Sequence, residues 1–248
     1  MCDLFALSAS HHHIASTSLP LFAVRGRQNV HGWGIGFFRH RTPVVEKSGD
    51  QVFADGRLHV SFQRLARVVN SPIILAHIRY KSSGEVDECH AHPFVLDFWD
   101  QAWIFAHNGK APIIEPYVSP NTPLLEAASD SARTFEFLRD YFWEAEPRRP
   151  HTPFGVILKE ALVLLLKNYP GGYNFLLTNG RVIWAFTNHR QFMMLKGSEK
   201  LEDALLLTTI EEGLSSENWQ RLAAGEGSLG RLLLIAGGDL ILSEDLRP

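Results

Sequence analysis

Cys2 offers the most concentrated chemistry in the chain. Removal of Met1, favoured by the small side chain that follows it, leaves one residue carrying both a thiol and a free α-amine. An ordinary α-amine titrates near about pH 8. It can therefore take the proton of its own thiol, directly or through a water, and one residue then supplies nucleophile and base. Three other positions could serve the same reaction. Arg79, just beyond the apolar stretch from Ile73 to Ile78, either grips a carboxylate through its bidentate fork or makes a structural ion pair. Asn108-Gly109 reads as a tight turn with positive φ or as half of an oxyanion hole. In the second reading a side-chain amide and a backbone N–H converge on the oxygen that turns negative during acyl transfer. Asp130, between Ser129 and Ser131, either caps a helix or points at a substrate ammonium.

The histidines raise the question of a metal. His11, His12 and His13 are contiguous, and His90 and His92 would share one face if their segment were a strand. No H-E-x-x-H or Cys-x-x-Cys pattern supplies the remaining ligands, so neither metal nor cofactor is expected. His92-Pro93 fixes an extended backbone at a loop, with Trp99 and Trp103 packing beside it as core or cleft wall.

These residues need elements to hold them. Loose alternation predicts a strand from Cys2 to Ser8, followed by a loop carrying the three histidines. Gly32 to Phe38 reads as a glycine-rich turn feeding a strand. The spacing of Leu58, Phe62, Leu65 and Val69 predicts an amphipathic helix over Leu58–Asn70, and Pro72 then introduces a strand from Ile73 to Ile78. A short strand from Trp103 to Ala106 leads to Asn108-Gly109. Asp130 or Ser131 is expected to cap a helix whose buried stripe is Phe135, Leu138 and Phe142. After the Pro147–Pro150 linker, Thr152-Pro153 opens a second helix running to Tyr169. Strands follow at Tyr173–Thr178, Val182–Thr187, Leu205–Thr209, Leu232–Ile235 and Asp239–Leu242, with turns at Asn179-Gly180 and Gly237-Gly238. Without a steady βαβ rhythm, the pattern favours an α+β layered fold with mostly antiparallel sheets.

Composition narrows the classes. A chain of 248 residues, 45% hydrophobic and 21% charged, buries a sizeable core without disulfides. A formal net charge of -3 gives no basic excess for a nucleic-acid partner. The run from Ala161 to Leu166 is far too short for a bilayer span, so no membrane partner is expected. Two cysteines, Cys2 and Cys89, and no basic-then-apolar leader point to a reducing, cytoplasmic setting.

Taken in order, Met1-Cys2-Asp3-Leu4, Gly32-Trp33-Gly34-Ile35-Gly36, Ala76-His77-Ile78-Arg79, His92-Pro93-Phe94, Phe105-Ala106-His107-Asn108-Gly109 and Ser129-Asp130-Ser131 resemble the class II glutamine amidotransferases. The resemblance is to the short stand-alone branch of that N-terminal nucleophile hydrolase family, extending through the Tyr173–Leu177 and Asn179-Gly180 region. It implies a four-layer αββα sandwich and a single glutaminase-type domain over residues 2–248. It implies that Cys2 attacks the side-chain amide of glutamine or another γ-glutamyl compound, that a glutamyl thioester forms, and that Asn108 and Gly109 stabilise the oxyanion. Arg79 then holds the substrate carboxylate and Asp130 its ammonium, with His77 and His92 alongside as substrate-facing residues. Lys81-Ser82, His90, Ala132 and His31 depart from the family pattern and bear on substrate identity and pocket shape. Since the chain ends at Pro248 without a fused acceptor domain, a glutaminase subunit feeding ammonia to a separate synthase is an alternative. Others are a homo-oligomer and a non-catalytic cleft that binds an amino acid or peptide.

Overall fold

The structure, a computed structural model, describes residues 1–82, 84–198 and 201–247. The chain opens on strand β1 (Asp3–Ile14), helix α1 (Ser18–Arg25), strands β2 (Trp33–Arg39) and β3 (Thr42–Ser48), and the small hairpin of β4 (Phe53–Ala54) and β5 (Arg57–Leu58). Helix α2 (Val60–Val68), strand β6 (Asn70–Ile78) and the hairpin of β7 (Phe94–Phe98) and β8 (Gln101–His107) follow. Helices α3 (Asp130–Ala145) and α4 (Phe154–Asn168) precede β9 (Asn174–Thr178), β10 (Ile183–Thr187), β11 (Phe192–Ser198), β12 (Leu201–Thr208), β13 (Gln220–Leu222), β14 (Gly230–Ala236) and β15 (Asp239–Leu246).

Two large sheets result, ordered β13-β11-β12-β1-β6-β2-β3 and β15-β14-β10-β9-β8-β7. The period of two along each strand sorts side chains into layers. On β1, Leu4 and Ala6 point at the second sheet and join Leu75, Ile104, Ala106, Leu176 and Ala185 in an inner core. Phe5 and Leu7 point the other way, onto Leu19 and Phe22 of α1 and Phe62 of α2. On β8, Ile104 and Ala106 face inward while Trp103 and Phe105 meet Phe135, Leu138 and Phe142 of α3 and Leu158 and Leu162 of α4. The α+β expectation therefore holds as helices, sheet, sheet and helices in four layers. Gly36 of β2 lets the sheets approach, because a Cβ there would lie 2.9 Å from Pro93 and 3.0 Å from Ile104.

Several local expectations are corrected. β1 runs through the histidines, which form an irregular stretch of strand rather than a loop: its pairing with β6 shifts register between Ser8 and His13. That bulge lies opposite Pro72, which has no N–H to give the ladder, so the proline sits inside β6 rather than before it. The predicted Leu58–Asn70 helix is shorter at both ends, Leu58 belonging to β5 and Asn70 to β6. Ser129 caps α3, accepting from the Ala132 N–H at 3.2 Å, and Asp130 is the first helical residue. Pro153, not Thr152, precedes α4, without a side-chain cap. Trp103 is core, stacked on Phe154 and Phe98, and Trp99 packs edge-on against Phe142.

Candidate active site

β1 and β6 are neighbours, and their register pairs Asp3 with Ile78 and Leu4 with His77. Cys2 is thereby brought to the end of β6, where its thiol donates to the Tyr80 carbonyl at 3.3 Å and accepts from the Tyr80 N–H at 3.2 Å. Removal from water pushes that thiol up to about 11, with the Tyr80 hydrogen bond opposing the shift. At neutral pH the sulfur is thus protonated and needs a base before it can attack.

A cleft lined by Cys2, Arg79, Gly109, His92, His107 and Asp130 gathers residues from both sheets and from the start of α3. Arg79 is almost wholly buried and donates to the Glu85 carbonyl at 2.5 Å. Asp130 accepts from the Ala111 N–H on one oxygen and from the Ser131 N–H on the other, each at 2.8 Å. Asp130 is thus not the cap, which is Ser129; its carboxylate ties α3 to the segment after Gly109 and borders the cleft.

Asn108-Gly109 is not a left-handed turn, since neither residue has positive φ. Instead β8 continues its pairing beyond His107: Asn108 exchanges hydrogen bonds with Asn174, and Lys110 does so with Gly172. By the alternation of an antiparallel ladder, the Gly109 N–H between them points away from β9. Glycine is required there by closeness, because a Cβ would fall 1.9 Å from the Gly172 carbonyl oxygen and 2.6 Å from His107 Nε2.

His77 lies in β6, and Arg79 follows two residues later, just past the end of that strand. His77 lies behind the cleft wall, fully buried, with Nε2 3.2 Å from His92 Nδ1. The His107 N–H donates to that same Nδ1 at 3.4 Å, so His77 carries the proton of the pair. His92 borders the cleft itself. Burial holds His77 down at about 3, aided by the charge of Arg79, and lowers His92 and His107 too. None is a resident cation that could stabilise a thiolate.

His90 and His92 do not form a pair. The segment is not a strand; the His90 ring bonds to Asp87 at 2.7 Å and accepts from the Ala128 N–H at 3.3 Å, while His92 turns to His77. His90 thus props the approach to Ser129 and Asp130. His31 Nδ1 accepts from the Lys81 N–H at 3.0 Å, and Lys81 pairs with Glu85 at 3.7 Å. Of the residues that depart from the family pattern, Ser82 and His90 line the cleft with Cys2.

Sequence reasoning missed a buried polar cluster beneath the cysteine. Asp3 accepts from Asn29 at 2.7 Å and from Arg190 at 3.3 Å, and Arg190 also donates to the Cys2 carbonyl at 3.0 Å and to the Thr209 carbonyl at 2.7 Å. The buried acid at position 3 was the only available sign of it. Burial raises the Asp3 pKa, an effect opposed by Arg190 and Thr209.

Residues 1–206 match the family of class-II glutamine amidotransferases. The Escherichia coli protein YafJ is 26% identical over 92% of this chain and 97% of its own. The γ-glutamyl-hercynylcysteine sulfoxide hydrolase of Mycobacterium tuberculosis is 35% identical over 43% of this chain and 42% of its own. The glutamine phosphoribosylpyrophosphate amidotransferase of B. subtilis shares the fold, with a TM-score of 0.66 at 16% identity, over 98% of this chain and 49% of that one. No described helix is long and apolar enough to cross a membrane.

Proposed function

Because the chain belongs to the class-II glutamine amidotransferases, an enzyme family of hydrolase type, we propose that it cleaves the side-chain amide of glutamine or a γ-glutamyl amide through a thioester on Cys2. The observation that carries this reading is the cleft that joins Cys2 to Arg79, Gly109 and Asp130. An α-amino acid carries a carboxylate and an ammonium on one carbon, so a cation and an anion on the same cleft orient its side chain over the sulfur. Loss of Met1 gives Cys2 a free amine, which takes the thiol proton as sulfur attacks the amide carbon. The electron pair of the C=O moves to oxygen, opposite the Asn108 amide and the Gly109 N–H. Collapse expels ammonia or an amine, protonated by the same Cys2 nitrogen. Water, deprotonated there in turn, opens the thioester and frees the γ-carboxylate.

Similarity to a hydrolase named for a γ-glutamyl substrate favours γ-glutamyl compounds as a class over glutamine alone. We read residues 2–248 as one glutaminase-type module, a reading supported by β14 and β15, which lie beyond the family match and belong to the same sheet as β8 and β9. The test is ammonia or amine release from glutamine and a panel of γ-glutamyl amides, using protein shown by intact mass to have lost Met1. Cys2→Ala is expected to lower turnover roughly a thousandfold or more. A Cys2→Ala variant as active as the parent, or a parent that turns over no member of the panel, overturns the reading.

A further inference from the structure

Thr209 stands immediately after β12 and is wholly buried. Its backbone N–H donates to the Leu4 carbonyl at 3.1 Å, and its hydroxyl meets three groups. It donates to Asp3 Oδ1 at 3.2 Å, accepts from the Leu4 N–H at 2.9 Å and accepts from Asn108 Nδ2 at 3.4 Å. A hydroxyl has one proton and two lone pairs, so all three places are filled. The direction of each bond is forced. Asp3, facing Arg190 and Asn29 as well, is an acceptor only, so the Thr209 proton goes to it. The hydroxyl is then left with lone pairs alone for Asn108, and Asn108 must turn its NH2, not its carbonyl, to this side.

We infer that Thr209 is a positioning residue that sets which end of the Asn108 amide faces the cleft side of β8, and so builds the side-chain half of the oxyanion hole. The inference rests on the function proposed above and adds a residue to it. One N–H of the Asn108 amide is spent on Thr209, which fixes the amide plane and leaves the second N–H as the donor to the developing oxyanion. Asp3 sets the hydroxyl direction, and Arg190 and Asn29 hold Asp3. Nucleophile and oxyanion donor are thereby referred to one buried hydroxyl: Leu4, two residues after Cys2, hangs on it from one side and Asn108 from the other.

The experiment compares Thr209→Val, Thr209→Ser and Asp3→Asn with the parent in Met1-free protein. It reads kcat and KM for the best γ-glutamyl substrate, the rate of Cys2 alkylation by iodoacetamide resolved from Cys89 by peptide mass, and the melting temperature. Thr209→Val keeps the shape but frees the Asn108 amide; kcat should fall about tenfold to a hundredfold with KM within about threefold, because an oxyanion donor acts on the transition state. Iodoacetamide reacts by displacement at carbon without an oxyanion, so its rate should stay within about twofold of the parent. Thr209→Ser restores the hydroxyl and should return kcat to within about threefold. Asp3→Asn can hand an N–H to Thr209 and turn the hydroxyl proton toward Asn108; it should lower kcat as Thr209→Val does, and serves if that variant does not fold. Folded Thr209→Val with parental kcat overturns the inference and leaves the proposed function standing. So does a parallel fall in alkylation and turnover, which would mean that Thr209 merely holds β1. A parent without Cys2-dependent turnover removes both.

Discussion

At the residue scale, Asp130 shows how a carboxylate serves helix and ligand together. Three hydrogen bonds reach it, from the Ala111 N–H, the Ser131 N–H and, at 3.3 Å, the Ser131 hydroxyl. Two oxygens offer about four acceptor sites, so one stays open to a substrate ammonium. Asp130→Asn keeps the shape and removes the charge. A hydrogen bond to a charged group contributes about 1.5–3 kcal/mol, so KM for a γ-glutamyl substrate should rise roughly tenfold to a hundredfold, with kcat changing less. Steady-state kinetics check it, and an unchanged KM excludes Asp130 as the ammonium partner. Cys2, Arg79, Gly109 and Asp130, which the fold gathers on one cleft, could be singled out in the sequence because each belongs to a residue type or pair with chemistry of its own. Thr209, Arg190 and Asn29 could not. They are ordinary residue types, and their relation to Asp3 exists only in the folded chain: Asn29 reaches it from 26 positions away, Arg190 from 187 and Thr209 from 206.

At the element scale, the close contact of Gly109 with Gly172 joins β8 to the entry of β9. Gly109→Ala would place a methyl group 1.9 Å from the Gly172 oxygen, and that oxygen is held by the Lys110 N–H at 3.0 Å. Neither backbone can give way alone. The substitution should move the Gly109 N–H and lower kcat by about a hundredfold or more, the size of effect seen when an oxyanion donor is lost. Kinetics with circular dichroism to verify the fold decide it; parental kcat in folded protein would mean that this N–H takes no part in the reaction. The same scale explains which elements could be read. Amphipathic stripes and glycine turns revealed α3, α4, the β9–β10 hairpin and the β14–β15 hairpin. β7 stayed hidden because its turn is Trp99-Asp100, with φ of 55° and 52°, where a glycine would have announced it. Helix α1 has eight residues and no acidic first turn, and Thr17 at its N-cap makes no side-chain hydrogen bond, so in the sequence its start merges with a Ser/Thr cluster.

At the scale of the whole molecule, the two sheets converge on a buried polar patch. His77, His92 and His107 arrive from β6, from the loop before β7 and from β8, and all three are buried. Their neutral forms are compatible with the sandwich and their charged forms are not. An imidazole that titrates at 6.5 when unfolded and at about 3 in the folded protein, as His77 does, leaves stability untouched above pH 6.5. Below that the unfolded chain takes up a proton that the folded one refuses. Stability then falls by about 1.4 kcal/mol per pH unit for each such group until the folded pKa is reached. His77 alone should remove roughly 2 kcal/mol between pH 6.5 and 5.0, and His92, lowered in the same direction, should add to it. Urea unfolding at pH 7.0 and 5.0 measures the loss, and in His77→Gln the difference between the two pH values should shrink by about 2 kcal/mol. An identical pH dependence in the variant would show that His77 titrates alike in both states. The layer between the sheets would then have to be wet enough to carry a charge beside Arg79.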